Sequence, residues 1–340
     1  MIEFFPCSTL PKTFFEENNN LFYSKRWLDV LQSSYNFEWM FAEDDVSNTY
    51  FLFAYIDNLS GKKIISLPFS DYTPINGENS EKVVNVIRKA IERFPEYRFV
   101  IKTSVSQYDP FFSSFKAERH AYYHSISLEE PEGKKLSSSF KRGVKKALKS
   151  EVSTEISYDI DALHTFYKMY HTLRLNKFKS IPQPFSFFSA IHKSFIDPKQ
   201  GFVLQAKFQD SVIASIIVLK HKQTLYYKFG SSDQNFLDKR PNNLLFSELI
   251  KIAREMKCTS IDLGLSGSSL AYEGLVRFKE SMGGKRFPIT YFSYAPKEYK
   301  PDLENETRTM ATSIVKTIVD HSLDMKTTSE LSSTIYPYFA

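Results

Sequence analysis

Cysteine is scarce in this chain of 340 residues, which contains only Cys7 and Cys258. Two cysteines so far apart form neither a disulfide framework nor the closely spaced pairs of a zinc site, so both classes are excluded. Such cysteine usage favours a reducing, cytoplasmic compartment. His171, His192 and His221 lie apart in the sequence without a partnered serine or cysteine. The sequence therefore predicts neither a catalytic triad nor a metal cluster.

Long hydrophobic runs are also lacking. No window approaches the roughly 18 uninterrupted apolar residues that a membrane-spanning helix needs. The N-terminus, MIEFFPCSTLPKTFFEE, has no basic region followed by an apolar core, so no signal peptide is predicted. The formal net charge of +5 permits contact with phosphates but does not require it.

Aromatic residues, by contrast, are abundant, with 31 phenylalanines and 20 tyrosines. We interpret them as thick hydrophobic cores rather than as a special aromatic site. A chain of this length is comfortable as two domains, each able to bury a core of its own.

Hydrophobic periodicity in the second half predicts an alternation of strands and helices. The predicted strands are residues 152–157, 201–208, 212–220, 224–229, 260–263 and 287–294, and the predicted helices are residues 161–176, 185–195, 242–257 and 272–282. The order is therefore β-α-α-β-β-β-α-β-α-β.

The first half repeats part of this order. Strands at 50–56 and 62–67, a helix at 80–94 and a strand at 97–102 echo the strand, strand, helix, strand order of residues 201–263. Two degenerate copies of one fold would explain the echo, and so would chance similarity among α/β units. Residues 297–340 contain a predicted helix at 306–321, to which no chemistry is assigned.

Four sequence phrases lie between residues 224 and 284. They are TLYYKFGSSD, then RPNNLL, then IDLG, then EGLVRFKESMGG. In this order they resemble the second half of a GNAT-type N-acyltransferase domain. Their residues are most similar to the corresponding motifs of the branch that includes the Fem-type aminoacyltransferases of peptidoglycan cross-bridges and acyltransferases of bacterial polysaccharide pathways.

The resemblance implies an α/β fold with two tandem GNAT-like domains. A divergent GNAT-like domain would occupy residues 1–133, a catalytic GNAT-like domain residues 134–296, and a C-terminal helix and tail residues 297–340. The implied reaction moves an acyl or aminoacyl group to an amine on a nucleotide- or lipid-linked cell-envelope precursor. The donor would be aminoacyl-tRNA or acyl-CoA. The alternatives are an acyl-CoA-dependent N-acetyltransferase of an exopolysaccharide or capsule amino sugar and a non-catalytic polyanion-binding module of the same fold.

GNAT-like folds place the donor where two parallel strands separate, here 224–229 and 260–263. Acetyl-CoA-dependent members commonly carry a glycine-rich loop before the next helix, whose amides bind the pyrophosphate. The corresponding loop here, residues 230–241, has Gly230 as its only glycine. This disfavours a standard CoA site. Arg240, Asn242 and the amides of residues 243–245 remain possible phosphate contacts, or part of the motif simply starts a helix at Pro241.

Two residues are predicted to be catalytic. Asp233 follows the strand that would line the cleft, and its alternative role is an Asx-turn cap of the loop. The resemblance implies that Lys279 contacts an anionic part of a substrate, and its alternative is a solvent-exposed lysine.

Further residues are predicted to contact substrate. Tyr226 and Tyr227 point to opposite faces of their strand, so only one faces a cleft, and Tyr227 is assigned to it. Asp262 lies in a buried-looking strand, where it binds substrate or forms a structural ion pair. Arg277 and Phe278 belong to the same phrase as Lys279.

Acidic residues are missing from a basic helix predicted at residues 134–149. Its cations are Lys134, Lys135, Lys141, Arg142, Lys145, Lys146 and Lys149. Like charges four residues apart cost helix stability, and a bound polyanion would offset that cost. We assign Lys141, Arg142 and Lys145 to a phosphate-bearing substrate. The alternative is a solvated helix face.

Overall fold

The computed structural model describes residues 2–6, 12–44, 49–73, 80–103, 115–129, 136–297, 299–321 and 323–339. The chain forms two compact units. The first unit comprises Met1–Ala121, Pro288–Ser313 and Ile335–Ala340, and the second comprises Tyr122–Phe287 and Ile314–Thr334. The chain thus passes into the second unit 12 residues before the domain boundary expected from the sequence, and neither unit is one continuous segment.

The N-terminal segment of the first unit combines strands and helices. Its strands are β1 (Ile2–Pro6), β2 (Glu38–Asp44), β3 (Thr49–Asn58), β4 (Gly61–Ile65) and β5 (Arg98–Thr103), and its helices are α1 (Lys12–Glu17), α2 (Lys25–Tyr35) and α3 (Ser80–Arg93). Strands β1 to β4 pair antiparallel in sequence order, and β4 pairs parallel with β5. The predicted hairpin, helix and strand are confirmed.

The core of the first unit explains part of the aromatic content. Helix α3 buries Val86, Ile87 and Ala90 in a cluster that also contains Phe53 and Phe99 of the sheet. The side chains of Ile87 and Ala90 lie one turn apart, so they form one apolar stripe along the helix. These aromatic residues fill a core, as the composition suggested.

A buried group of charges anchors the N-terminal end of α9 (Pro301–Asp320), a helix whose residues up to Ser313 belong to this unit. Glu304 is 6% exposed, and its carboxylate lies 3.2 Å from Lys63 Nζ and 2.6 Å from Arg98 Nη1. It also accepts a hydrogen bond from the Tyr299 hydroxyl and lies 3.2 Å from Arg308 Nη2. Since Lys63 is in β4 and Arg98 in β5, the carboxylate holds α9 against both strands.

The second unit contains the predicted catalytic elements. Its strands are β6 (Lys116–Ser127, from Tyr122 onward), β7 (Val152–Ser157), β8 (Gly201–Phe208), β9 (Ser211–His221), β10 (Thr224–Ser232) and β11 (Ser260–Gly267). Its helices are α4 (Ser138–Lys149), α5 (Ile160–Asn176), α6 (Phe185–Ile191), α7 (Pro241–Glu255), α8 (Glu273–Ser281) and α10 (Met325–Ile335). Strands neighbour one another in the order β6-β11-β10-β9-β8-β7. The last strand, β12 (Lys285–Tyr294), pairs antiparallel with β5 in the first unit from Thr290 onward.

The predicted element order of the second half is confirmed, with differences at some ends. Strand β10 runs three residues further than expected, to Ser232, and β11 runs on to Gly267. Serine and glycine dominate both ends, so these residues show no strong hydrophobic periodicity. The structure also adds α10, whose Ser329 Oγ accepts a hydrogen bond of 2.8 Å from the Phe185 amide at the start of α6.

Two faces of the second unit's sheet carry different helices. On one face, α4, α7 and α8 share an apolar core with the strands, including Phe140, Leu245 and Leu263. On the other face, the ring of Phe229 meets Phe187 and Phe188 of α6 edge to face, with centroids 5.8 and 5.1 Å apart. The alternation of side chains along β10 therefore separates two chemically distinct sides of the strand.

No helix in the described residues is both long and apolar enough to cross a lipid bilayer.

Candidate active site

Strands β10 and β11 are paired over only part of their length. Their parallel register joins Thr224 to Ser260, Leu225 to Ile261 and Tyr226 to Asp262. Both strands continue for several residues, to Ser232 and Gly267. The register of β10 against β9 also shifts between Tyr227 and Phe229, which marks a β-bulge at the same level. The ladder therefore ends where the predicted gap begins.

A bend in β11 lies two residues beyond Asp262, the last residue paired with β10. Gly264 has a φ of 71°, in the left-handed region that glycine adopts without strain. Its amide donates a hydrogen bond of 2.7 Å to Oδ1 of Asp262. On α8, Lys279 Nζ donates to the carbonyl oxygens of Gly264, at 2.9 Å, and Leu265, at 2.8 Å. Asp262 and Lys279, 3% and 2% exposed, thus hold the same short turn.

His124 of β6 is a further polar residue of this region, and sequence reasoning missed it. It is fully buried, and neither ring nitrogen has a hydrogen-bond partner among the described residues. Burial, followed by the positive charges of Lys279 and Arg286, lowers the pKa of His124 to about 4. The imidazole is therefore neutral at pH 7. In the sequence, His124 is one of two histidines in the stretch that forms β6, and nothing in that pattern distinguishes it from His120.

A cavity of about 720 Å³ opens between α5 and the adjoining ends of β9 and β10. Its wall combines apolar side chains, such as Met169, Leu173 and Ile213, with the polar Asn176 and Asp233. Two more lining residues, Lys177 and Gln234, are joined by a hydrogen bond of 2.9 Å. The residues that α5 contributes were predicted only as a helix, because its pattern of polar residues looked like an ordinary exposed face.

The position of Asp233 is compatible with both of its predicted roles, a cap of the loop and a residue that lines a cleft. Its carboxylate accepts from the Asn235 amide at 2.9 Å and so caps the 3₁₀ helix Gln234–Lys239. It is also half-buried and lines the cavity. Lys279 is not among the residues that line this cavity. Its ammonium donates instead to the carbonyl oxygens of Gly264 and Leu265 in β11. The structure thus does not bring the two predicted catalytic side chains together there.

Tyr226 and Tyr227 do point to opposite faces of β10. Tyr226 is 3% exposed, whereas the half-exposed ring of Tyr227 meets Phe246 of α7 at a centroid distance of 4.9 Å. A Cβ on Gly230 would lie 2.5 Å from the Tyr227 hydroxyl oxygen. Gly230 is thus the residue that makes room for Tyr227.

The loop before α7 ends in an uncapped helix start. Arg240 is exposed, has a φ of 59° and provides no side-chain cap to α7, whose first residue is Pro241. The side chain of Asn242 accepts a hydrogen bond of 3.0 Å from the Ser232 hydroxyl. Helix α4 approaches this point closely, because a Cβ on Gly143 would lie 2.5 Å from Cγ of Asn243.

The basic helix is amphipathic as its pattern predicts. It begins at Ser138, with the Ser137 hydroxyl accepting from the Phe140 amide at 3.1 Å. Phe140 and Ala147 are buried, while the predicted phosphate contacts are exposed, namely Lys141, Arg142 and Lys145. Lys134 and Lys135 lie outside the described residues.

The two remaining predicted contacts lie on α8. Arg277 is exposed and lies 3.6 Å from the carboxylate of Glu273. Phe278 packs between Phe140 and Phe246, with centroid distances of 6.3 and 5.5 Å. Phe278 is therefore a packing residue between α4, α7 and α8. In the described part of the chain, no group of three or more His, Cys, Asp or Glu side chains is placed to hold a metal ion.

Comparison with known proteins relates this geometry to a family. A family model described as acetyltransferase (GNAT) domain matches residues 134–279. No curated protein matches the sequence. Among solved structures, FemX superposes with a TM-score of 0.62 at 12% identity, covering 88% of this chain and 98% of FemX.

Two further structures have a similar fold. The C-terminal domain of a putative lysylphosphatidylglycerol synthetase from Agrobacterium fabrum gives a TM-score of 0.58 at 11% identity, covering 91% of this chain and 95% of that one. L-PGS from Bacillus licheniformis gives 0.55 at 12% identity, covering 86% and 93%. Residues 134–279 are therefore a GNAT-type acyltransferase domain, within a chain that has the GNAT-like fold of FemX.

Proposed function

We propose that this protein transfers an acyl or aminoacyl group to an amine on a cell-envelope glycan or peptidoglycan precursor. The observation that carries the proposal is the separation of β10 and β11 after Tyr226 and Asp262, inside a GNAT-type domain. FemX and the lysylphosphatidylglycerol synthetase domain share the fold, and their names support a cell-envelope acceptor.

The chemistry needs only a few groups from the protein. The acceptor nitrogen attacks the acyl carbonyl, a C–N bond forms, and the C–S or C–O bond to the donor breaks. The amine loses a proton, and the leaving thiolate or ribose oxygen gains one. A general base and hydrogen-bond donors for the carbonyl oxygen therefore suffice, once both substrates are held together.

Asp233 is the residue that we assign to the amine. It lies at the end of β10, half-buried in the wall of the 720 Å³ cavity. A carboxylate there would orient the incoming ammonium and accept its proton, directly or through one water. The apolar part of the cavity wall would hold the neighbouring carbon atoms of the acceptor.

For the donor, we favour aminoacyl-tRNA over acyl-CoA. The only glycine of the loop before α7 lies under the Tyr227 hydroxyl and is committed to that contact. No other glycine in residues 230–241 is left to let the backbone approach a pyrophosphate closely. The exposed cations of α4 offer a surface for the phosphates of a larger donor or of a nucleotide- or lipid-linked acceptor.

Ligand-dependent stabilisation tests this proposal. A thermal-shift panel would contain acyl-CoAs, aminoacyl-tRNA, the same tRNA without its aminoacyl group, and nucleotide-linked amino sugars. We expect the aminoacyl-tRNA and a sugar-linked amine to raise the melting temperature, and product to form when both are present. Stabilisation and turnover with acetyl-CoA would instead favour a polysaccharide amino-sugar acetyltransferase. Binding of every polyanion without turnover would favour a non-catalytic module.

A further inference from the structure

The wall of the cavity of about 720 Å³ follows helix α5 for about three turns. The helix residues that line it recur every three or four positions, so they share one face of α5. They are Thr165, Lys168, Met169, Thr172, Leu173 and Asn176. From the first to the last of them the helix extends roughly 17 Å, at about 1.5 Å per residue. The cavity therefore accommodates an extended ligand.

Several polar side chains of this wall are already bound within the protein. The hydroxyls of Thr165 and Thr172 each donate a hydrogen bond of 3.0 Å to a carbonyl oxygen one turn earlier on α5. The Gln234 amide nitrogen donates to the Ser232 carbonyl at 3.2 Å, and the Gln234 amide oxygen accepts from Lys177 at 2.9 Å. The surface that these residues leave for a ligand is therefore more apolar than the composition of the wall suggests.

Three charged side chains also line the cavity, Lys168, Lys177 and Asp233. The Lys177 ammonium is engaged by its neighbours, because it donates to Gln234 and lies 5.9 Å from the centre of the Phe178 ring. Only Oδ1 of Asp233 is used by the cap of the following 3₁₀ helix. In the described part of the chain, neither Asp233 Oδ2 nor the Lys168 ammonium has a hydrogen-bond or ion-pair partner. One negative and one positive group thus face the cavity uncompensated.

These two groups lie toward opposite ends of the cavity. The hydrogen bond between Lys177 and Gln234 places the C-terminal end of α5 beside the residue that follows Asp233. Lys168 precedes Lys177 by nine residues, which is roughly 14 Å along a helix axis. Ion-pair contacts of about 3 Å take up part of that distance, which leaves roughly 10 Å for the ligand itself.

We propose that this cavity selects an acceptor that carries an anionic group, a carboxylate or a phosphate, roughly 10 Å from its amine, and that Lys168 is the residue that binds the anion. The proposal rests on the proposed function, which assigns the amine to Asp233. The part of the acceptor between the two charges would pack on Met169 and Leu173. A nucleotide- or lipid-linked precursor meets this requirement through its phosphates, whereas a free amino sugar does not.

Lys168 acts on selectivity more than on total affinity. Its side chain is exposed, so water and salt screen the attraction, and one such ion pair changes binding only severalfold. A ligand with a second cation in place of the anion would be repelled by the same residue. Lys168 therefore distinguishes acceptors by the sign of the charge far from the amine.

Isothermal titration of the full chain with small amines tests this assignment. The probes are 8-aminooctanoate, octylamine, which lacks the anion, and 4-aminobutanoate, which is too short to reach both charges. At low salt, 8-aminooctanoate should bind about threefold to fivefold more tightly than either of the others. Lys168→Gln should remove its advantage over octylamine. Lys193→Gln, which alters an exposed lysine outside the cavity wall, should preserve it.

Charge reversal gives a second, independent readout. Lys168→Glu should invert the preference, so that octane-1,8-diamine binds more tightly than 8-aminooctanoate. 8-Aminooctyl phosphate should show the same dependence on Lys168 as the carboxylate probe. Asp233→Asn should weaken octylamine and 8-aminooctanoate to the same extent, because both use the ammonium end. Equal binding of these two probes by the unaltered protein would overturn the proposal, and so would a preference that depends on Lys177 instead of Lys168.

Turnover separates this proposal from the proposed function. With whichever donor the thermal-shift panel identifies, Lys168→Gln should raise KM for 8-aminooctanoate about threefold to fivefold and leave kcat unchanged. Acylation of octylamine and 8-aminooctanoate with equal KM would retain the acyltransferase and overturn the role of Lys168. If the binding pattern is as expected but no donor supports transfer, the proposed function fails while the assignment of Lys168 stands.

Discussion

Both units contain a parallel strand pair joined through one helix, and the two pairs end differently. Strands β4 and β5 of the first unit pair at Lys63–Arg98, Ile64–Phe99 and Ile65–Val100, while β10 and β11 of the second unit also pair over three residues. The first pair is then continued by the loop after β4. The Ser66 amide donates to the Val100 carbonyl at 3.0 Å, and the Thr73 amide to the Lys102 carbonyl at 3.1 Å. In the second unit, the register ends at Tyr226 and Asp262.

Buried charge follows the same division. In the first unit, the carboxylate of Glu304 is surrounded by Lys63, Arg98 and Tyr299, so the charges compensate one another within the protein. In the second unit, Lys279 is bound by carbonyl oxygens, while His124 and Ser266 have no partner among the described residues. The first arrangement closes a strand pair as a structural element, whereas the second leaves polar groups that have no partner in the described part of the chain.

The largest loss of stability should come from removing the Glu304 carboxylate, which contacts Lys63 of β4 and Arg98 of β5. Glu304→Gln removes the negative charge beside the buried Lys63 and the half-buried Arg98, which costs about 3–5 kcal/mol of unfolding free energy. Urea denaturation measures this loss. Glu96→Gln removes the exposed partner of Lys62 and serves as the control, with an expected cost under about 1 kcal/mol. Equal losses in the two variants would mean that the Glu304 group is not structural.

The pH dependence of the first unit has a defined sign. Burial of Glu304 alone would raise its pKa, but the Tyr299 hydrogen bond and the charges of Lys63 and Arg98 outweigh it, so the pKa is lowered. Because the folded-state pKa lies below the unfolded value, this stabilisation is complete above the unfolded pKa and is lost as the pH falls through the folded one. Glu304→Gln should therefore flatten the acid limb of the stability curve. An unchanged acid limb would contradict the assignment.

Asp233 follows β10, the strand whose pairing with β11 ends early. Asp233→Asn should leave the fold nearly intact and lower turnover about 100-fold, the lower end of what a general base contributes. An asparagine oxygen still accepts from the Asn235 amide, so the cap is retained. Steady-state kinetics and a melting curve provide the two measurements. Asp238→Asn, an exposed change in the same loop, is the control. A fully active Asp233→Asn protein would reduce Asp233 to a loop cap.

A smaller effect is expected from the surface next to the open pair. Reversal of Lys141, Arg142 and Lys145 to glutamate should weaken binding of a phosphate-bearing substrate and flatten its dependence on salt, since each lost phosphate contact reduces the slope of log K against log salt by about one. The matched control reverses three exposed lysines elsewhere in the second unit, Lys193, Lys251 and Lys257. If affinity and slope survive in the α4 variant as they do in the control, the helix is a solvated face.

The smallest effect concerns Gly230. Gly230→Ala would place its Cβ 2.5 Å from the Tyr227 hydroxyl, and the resulting strain should cost about 1–3 kcal/mol. Tyr227→Phe removes the obstructing oxygen, so the double variant should recover part of that loss. A chemical denaturation cycle of the four proteins measures the coupling. Additive effects would show that the contact between the two residues is unimportant.

Sequence reasoning predicted the order of elements well, because apolar alternation and helical stripes are local properties. It placed the α8 phrase correctly, and the substrate contact of Lys279 stays a prediction. That the Lys279 ammonium donates to the carbonyl oxygens of Gly264 and Leu265 could not be read from the Phe-Lys phrase, because the contact depends on three-dimensional position. His124 and the α5 wall of the cavity were missed, because burial and concavity arise from residues that are distant in sequence.

The path of the chain between the two units constrains its synthesis on the ribosome. Strand β12 pairs with β5, so the first unit lacks a strand until residues 288–313 have emerged. By then all of Tyr122–Phe287 has already left the ribosome. The second unit in turn needs Ile314–Thr334. Neither unit can therefore finish folding before its C-terminal segments have emerged, in contrast to the usual order in which domains complete one after another from the N-terminus. Until then, nascent β5 presents an unpaired edge, so a stall between residues 121 and 288 would leave an aggregation-prone intermediate.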